Sequence, residues 1–232
     1  MGSETCRAVE DDPGLELVAR IGRDDSLDGL VEAGAEVAVE FTTPDSVRDN
    51  VRFCLEHRIH AVVGATGLSE DDLGAVAQWC KEFRTNALVA PNFAVGAVLM
   101  MSFAARAARH FEWAEIVERH HIGKVDAPSG TALRTARLMT EARSLPWDPS
   151  RSSNELVAGS RGAEVEGVRV HSLRLPGSLA HQEVVLGSAG ETLTIRHDST
   201  DRASFMPGVL LAVRSVAGLD GLVVGLEHLL DL

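Results

Sequence analysis

The stretch Ala61-Val62-Val63-Gly64-Ala65-Thr66-Gly67-Leu68-Ser69-Glu70-Asp71-Asp72 decides the fold. Its apolar run, Ala61 to Gly64, is strand-like and stops at a glycine turn. Ser69, with Asp72 three residues on, then caps a helix predicted over Ser69 to Phe83. The same alternation surrounds it. Leu15 to Ile21, Glu36 to Phe41 and Ala87 to Ala90 read as further strands, and Pro44 to His57 as a helix with Thr43 as N-cap and Pro44 at its first position. Strand alternating with helix implies parallel strands joined by crossovers, hence an α/β chain with a doubly wound parallel sheet. Ligands of such sheets bind beyond the carboxyl ends of the strands. Those ends carry Phe41-Thr42, Gly64-Ala65-Thr66-Gly67 and Ala90-Pro91-Asn92. Each turn alone is ordinary turn chemistry, but three on one edge favour a ligand edge where glycine backbone approaches a flat cofactor.

Beyond Pro91 the pattern changes. Ala94 to His110 is an alanine-rich helix, Trp113 to His120 a strand and Ser129 to Ala142 another helix. Ser144 to Gly167 reads as loop, with Pro146, Pro149 and several serines. Val168 to Leu173, Glu183 to Gly187 and Thr192 to His197 read as successive strands. Phe205 to Ala217 is a last long helix before a short Gly225 to Leu232 segment. Strands in succession predict a second, α+β domain with a broad sheet. The expected division is 1–94 with 205–232 for the first domain and 95–204 for the second.

The chain has 232 residues, 45% hydrophobic and 24% charged, enough for two small domains with cores of their own. A formal charge of -12 argues against a nucleic-acid partner. No apolar run reaches the ~20 residues of a membrane span, and Met1 opens no signal peptide, so a cytoplasmic, soluble protein is expected. Cys6, Cys54 and Cys80 are odd in number and widely spaced, which suits buried reduced thiols better than a disulfide frame or a metal site.

The chemistry concentrates in Glu118-Arg119-His120-His121-Ile122-Gly123-Lys124-Val125-Asp126-Ala127-Pro128-Ser129-Gly130-Thr131. His120, His121 and Lys124 are proton-transfer groups once their surroundings tune them. Asp126-Ala127-Pro128-Ser129 reads as a loop ending at an N-cap, after which Gly130 and Thr131 present backbone N–H groups at a positive helix end suited to a carboxylate. A histidine pair, a lysine or a capped helix start is usually structural when met singly. Their coincidence in one short segment describes an active site.

That segment resembles the His-His-x-x-Lys-x-Asp-Ala-Pro-Ser-Gly-Thr-Ala signature of the dihydrodipicolinate reductases, nicotinamide-dependent enzymes of lysine and diaminopimelate synthesis. The likeness extends through Gly64 to Gly67, Ala90-Pro91-Asn92-Phe93, Ala180-His181-Gln182-Glu183, Ile195-Arg196-His197-Asp198-Ser199 and Arg202 to Leu210. The resemblance implies a Rossmann-like first domain, a second domain for substrate and assembly, a cyclic imine dicarboxylate as substrate, NADPH or NADH as cofactor, no metal, and a homotetramer. It implies His120 and Lys124 as catalytic groups, with His121, Gly130 and Thr131 at the substrate. The cofactor would meet Gly64, Ala65, Thr66, Gly67, Ala90, Pro91, Asn92, Phe93 and Arg23.

Three departures qualify the likeness. Met1-Gly2 resembles the tail of the family's Gly-x-x-Gly-x-x-Gly turn, and Ser3 to Glu10 reads as the helix that follows. The first strand and earlier glycines are missing, which reads as a start placed late, with a genuine truncation as the alternative, and predicts weaker cofactor binding than an extended chain would have. Gly22 stands where the family often carries Asp or Glu, and Arg23 follows, which points to NADPH. Gly123 stands where relatives often carry another His. The alternatives are an inactive relative that keeps assembly or dicarboxylate binding, or a Schiff-base aldolase using Lys124.

Overall fold

A β-branched or alanine-rich run becomes a strand only where a neighbour accepts its ladder hydrogen bonds. Val37–Glu40 (β1), His60–Val63 (β2) and Ala87–Val89 (β3) find such neighbours, as does Leu222–Val224 (β9) near the other end of the chain. They form a four-stranded, wholly parallel sheet in the order β1-β2-β3-β9. The computed structural model describes residues 1–65, 67–147, 155–230 and 232. They divide into two compact units, Met1–Val95 with Arg202–Leu232, and Gly96–Asp201.

In the first unit α3 (Val47–Glu56) and α4 (Glu70–Phe83) bury Val47, Val51, Leu55, Val76 and Cys80 against Ala61, Val63, Ala87 and Val89. Alternate strand residues, Val62 and Leu88, point to the other face and are fully buried there. On the other side α7 (Met206–Ser215) packs against β2 and against α1 (Gly2–Glu10). A parallel sheet covered on both faces is the expected doubly wound architecture.

Several boundaries differ from the sequence expectation. Leu15 to Ile21 forms no strand: β1 pairs with β2 alone, and these residues have no ladder partner among the described residues. The helix expected from Pro44 starts at Val47, after a turn in which the Thr43 carbonyl accepts the Ser46 and Val47 N–H groups. The Ser46 hydroxyl binds those of Thr42 and Thr43 instead of capping. Ser69 and Asp72 do form the expected reciprocal capping box of α4. The last helix is shorter than expected, with 3-10 turns on either side at Arg202–Phe205 and Val216–Gly218, and β9 was not foreseen.

The second unit holds β4 (Trp113–His120), β5 (Ala163–Val165), β6 (Val168–Arg174), β7 (Ala180–Ser188) and β8 (Glu191–Ser199). They make a mixed sheet in the order β5-β6-β4-β7-β8, with only the β4–β6 pair parallel. One face is covered by α6 (Gly130–Glu141), joined by α5 (Val95–Ala108), around Ala104, Ala108, Ile116, Ala132, Ala136, Met139, Val170, Val184 and Leu186. The run expected as loop from Ser144 to Gly167 contains β5, whose three residues pair back onto β6. Part of that run, 148–154, lies outside the described residues.

Candidate active site

Along the covered face of β4 the side chains alternate Ala114, Ile116, Glu118, His120. The first two continue the apolar core, and the last two are polar. The change is matched by their neighbours: Glu118 lies opposite Ser172 on β6 and Gln182 on β7, and His120 lies opposite Arg174. The sheet therefore turns from apolar to ionic toward the end of β4, where the loop to α6 begins.

Glu118 is fully buried and organises this end. One carboxylate oxygen, Oε2, accepts from His120 Nδ1 at 2.6 Å and Arg174 Nη1 at 2.9 Å. The other, Oε1, accepts from Arg174 Nη2 at 2.9 Å and the Ser129 N–H at 3.2 Å. Burial opposes its ionisation, but the hydrogen bonds from Arg174, Ser172 and His120 outweigh it and hold the pKa below the ordinary value. His120 is shifted down: burial disfavours the imidazolium more than the Glu118 hydrogen bond favours it, and Lys124 and Arg174 add to the decrease.

The loop is tied to the same group. Arg174 Nη2 also donates to the Asp126 carbonyl at 2.5 Å. The Asp126 carboxylate accepts from Lys124 Nζ at 2.8 Å, and that hydrogen bond lowers its pKa. Ser129 caps α6, its Oγ accepting from the Ala132 N–H at 3.2 Å. A Cβ at Gly130 would meet no atom within 4 Å, so the first turn of α6 is open to a ligand. Thus His120, Lys124, Gly130 and Thr131 gather around one buried carboxylate. His121 does not join them, being exposed on the turn whose carbonyl accepts the Lys124 N–H. The sequence reading gave no role to Glu118 or Arg174. The available signal was a carboxylate at an inward position of an otherwise apolar alternation.

In the first unit, Gly64 and Ala65 follow β2, both donating their N–H to the Glu40 carbonyl. A Cβ on Gly64 would clash with the Phe41 ring and lie 2.7 Å from that of Phe93, which meet edge to face at 5.7 Å between centroids. At Gly67 φ is 117°, and a Cβ would lie 2.5 Å from Pro44 Cβ. Both glycines are thus required by the chain's own packing, a cause the sequence reading did not weigh. Thr66 lies outside the described residues. Ala90 and Phe93 are buried, Pro91 is exposed, and Asn92 Oδ1 accepts the Ala94 N–H at 2.8 Å. Arg23 stands apart from this cluster on an exposed turn closed by the Gly22 N–H and Asp25. No side chain caps α1, and a Cβ at Gly2 would meet nothing within 4 Å, so its first N–H groups leave room for a phosphate.

Comparison with known proteins gives this arrangement its relatives. The family model for the N-terminus of dihydrodipicolinate reductase matches residues 1–93, and that for the C-terminus matches residues 96–230. The 4-hydroxy-tetrahydrodipicolinate reductase of Streptomyces griseus is 55% identical over 235 residues, covering 100% of this chain and 94% of the relative. That of Corynebacterium diphtheriae is 55% identical over 222 residues, covering 94% and 89%. Among solved structures, a dipicolinate-bound dihydrodipicolinate reductase from Paenisporosarcina sp. TG-14 superposes with a TM-score of 0.89 at 36% identity, covering 98% of this chain and 94% of that one. The chain belongs to the dihydrodipicolinate reductase family.

Proposed function

We propose that this protein is a cytoplasmic NAD(P)H-dependent oxidoreductase that reduces 4-hydroxy-tetrahydrodipicolinate to tetrahydrodipicolinate, a step of lysine and diaminopimelate synthesis. The observation that carries the reading is the gathering of His120, Lys124 and the open α6 N-terminus around Glu118, in a chain so similar to reductases of that name.

When bound, the nicotinamide supplies the hydride. The rest falls to side chains and backbone. A conjugated imine that has accepted hydride carries negative charge and must gain a proton. The Lys124 ammonium stabilises that charge and donates the proton, while His120 is its acid/base partner. Gly130 and Thr131 at the α6 N-terminus hold substrate carboxylates, and His121, exposed on the preceding turn, is left out of that site. The nucleotide is assigned to the first unit, its pyrophosphate at the α1 N-terminus and its ring near Gly64 to Gly67 and Ala90 to Phe93. Arg23 is assigned to a 2′-phosphate, which favours NADPH over NADH.

The second unit is also assigned to assembly, as a homotetramer. On the sheet face opposite α6 Asp198 accepts from His181 Nδ1 at 2.5 Å and pairs with Arg196 at 2.8 Å, and the same face carries the exposed Leu173 on β6. Light scattering on the purified protein tests the assembly. Activity is tested with the full chain and freshly generated substrate, following nicotinamide absorbance with each nucleotide. Turnover with NADPH exceeding that with NADH is expected. No turnover with either, by a folded protein that still binds dipicolinate, overturns the assignment of activity.

A further inference from the structure

We infer that the buried Glu118–Arg174 pair is the positioning device of the active site, holding His120 with its proton on Nδ1 and Nε2 open as an acceptor, and tying the Lys124 loop and the α6 N-terminus to the same carboxylate. This deepens the proposed function and rests on its reading of His120 and Lys124 as the proton-transfer pair.

Hydrogen-bond capacity fixes the tautomer. An ionised carboxylate only accepts, and it has about four good lone-pair positions. At Glu118 donors fill them: His120 Nδ1 and Arg174 Nη1 on one oxygen, Arg174 Nη2 and the Ser129 N–H on the other, with the Ser172 hydroxyl at the same carboxylate. Since the carboxylate has no proton to give, the His120 nitrogen that meets it must carry one. A neutral imidazole with a proton on Nδ1 has its lone pair on Nε2. Burial keeps His120 neutral around neutral pH. In that state it accepts a hydrogen bond at Nε2 and has no proton there to give. The division of labour follows. The Lys124 ammonium gives its proton to the substrate and becomes an amine, while Nε2 of neutral His120 takes a proton from solvent and passes it to that amine, which restores both groups.

The pair reaches the other groups too. Arg174 grips the Asp126 carbonyl, and the Asp126 carboxylate holds Lys124 Nζ. Glu118 Oε1 takes the N–H of Ser129, the residue that caps α6. Stability alone is a poor reason for such a pair, because apolar residues of similar volume often serve as well or better at buried positions. Ala114 and Ile116 occupy the preceding positions of the same row.

Glu118→Gln tests the claim in the full-length protein. The amide keeps an oxygen for Ser129 and Arg174 but can donate to Nδ1, which releases the tautomer. Long-range proton–nitrogen NMR on 15N-histidine-labelled protein should find His120 protonated on Nδ1 in the wild type and shifted toward Nε2 in the variant. At neutral pH kcat should fall by about 10²-fold or more, as for a misplaced tautomer or a lost proton-transfer group. The dissociation constant for pyridine-2,6-dicarboxylate should stay within about tenfold, one power of ten in K.

The acid limb of kcat/KM gives a further readout. The charged groups facing His120 are Glu118 of β4, Arg174 of β6 and Lys124 of the loop. Glu118 raises the His120 pKa and the two cations lower it, so removing the carboxylate charge must move the limb to lower pH. Mere loosening of the site would admit water and move it up, toward ordinary imidazole. An unchanged tautomer, a near-normal kcat or a limb displaced upward each overturns the positioning role. If Glu118→Gln fails to fold, the double variant Glu118→Gln/Arg174→Met leaves no buried charge unpaired and should show the same tautomer change. A folded double variant with wild-type tautomer and kcat overturns the role as well. Failure of the underlying reading looks different: Lys124→Ala would then keep its kcat, whatever Glu118→Gln does.

Discussion

Lys124 holds its ammonium 2.8 Å from the Asp126 carboxylate, with 23% of its side chain exposed. It is thus held in place and still accessible, which is what a proton donor to a developing anion needs. Lys124→Ala should lower kcat by about 10²–10⁴-fold, the usual worth of a positioned proton-transfer group, and leave thermal stability nearly unchanged. Steady-state kinetics beside a melting curve check this, and a near-normal kcat removes Lys124 from the chemistry. Gly64 belongs to the opposite category, where packing decides. Gly64→Ala forces its methyl into the Phe41 and Phe93 rings and should cost about 1–3 kcal/mol, the range for overpacked cores, as read from chemical denaturation. His120 and Lys124 were legible because a short segment held them both. The Glu118–Arg174 pairing was not, because Arg174 lies 56 positions further along and meets Glu118 only once β6 pairs with β4 in parallel. A single sequence carries no trace of that register.

At the scale of elements, α6 depends on its first turn. Ser129 is buried, its hydroxyl accepts from Ala132, and its own N–H is held by Glu118. Ser129→Ala removes the cap and should cost about 1 kcal/mol of stability. It should also weaken dipicolinate binding, since a frayed first turn no longer aligns the Gly130 and Thr131 N–H groups. Denaturant titration and calorimetry check the two, and an unchanged dicarboxylate affinity would separate the cap from the ligand site. The elements themselves were legible wherever local chemistry fixes them. Trp113–His120 and the capped starts of α4 and α6 follow from alternation and Ser-x-x-Asp or Pro-Ser-Gly patterns. The misreadings share one cause, that a strand is a pairing as much as a pattern. Leu15 to Ile21 has the pattern and no ladder partner among the described residues, whereas Ala163–Val165 and Leu222–Val224 are too short to announce themselves and exist because β6 and β3 offer free edges.

For the molecule as a whole, the same buried groups set the response to acid. The His120 pKa lies below its ordinary 6.5 in the fold, as does that of the half-buried His197, in both chiefly through burial. The unfolded chain therefore takes up those protons first, and stability declines as pH falls below about 6.5. Glu118, and the more exposed Asp126 and Asp198, lie below their ordinary carboxyl values. Stability that depends on their ionisation is complete above those values and is lost as pH falls through the folded ones. Histidines and carboxylates thus act in the same direction. The net charge of -12 acts in the other, because protonation relieves self-repulsion. Surface charges are screened over about 8 Å at physiological salt, while Glu118 and its partners are buried and screened far less. The buried groups should win. The melting temperature is expected to be level above pH 7, to decline gently toward pH 5 and to fall steeply below 4.5. Glu118→Gln, with no carboxylate to protonate, should flatten the steep part while lowering the plateau. Calorimetric scans at 0.15 M salt decide it: a melting temperature that rises between pH 7 and 4 would mean that self-repulsion, rather than the buried network, governs the acid stability of this fold.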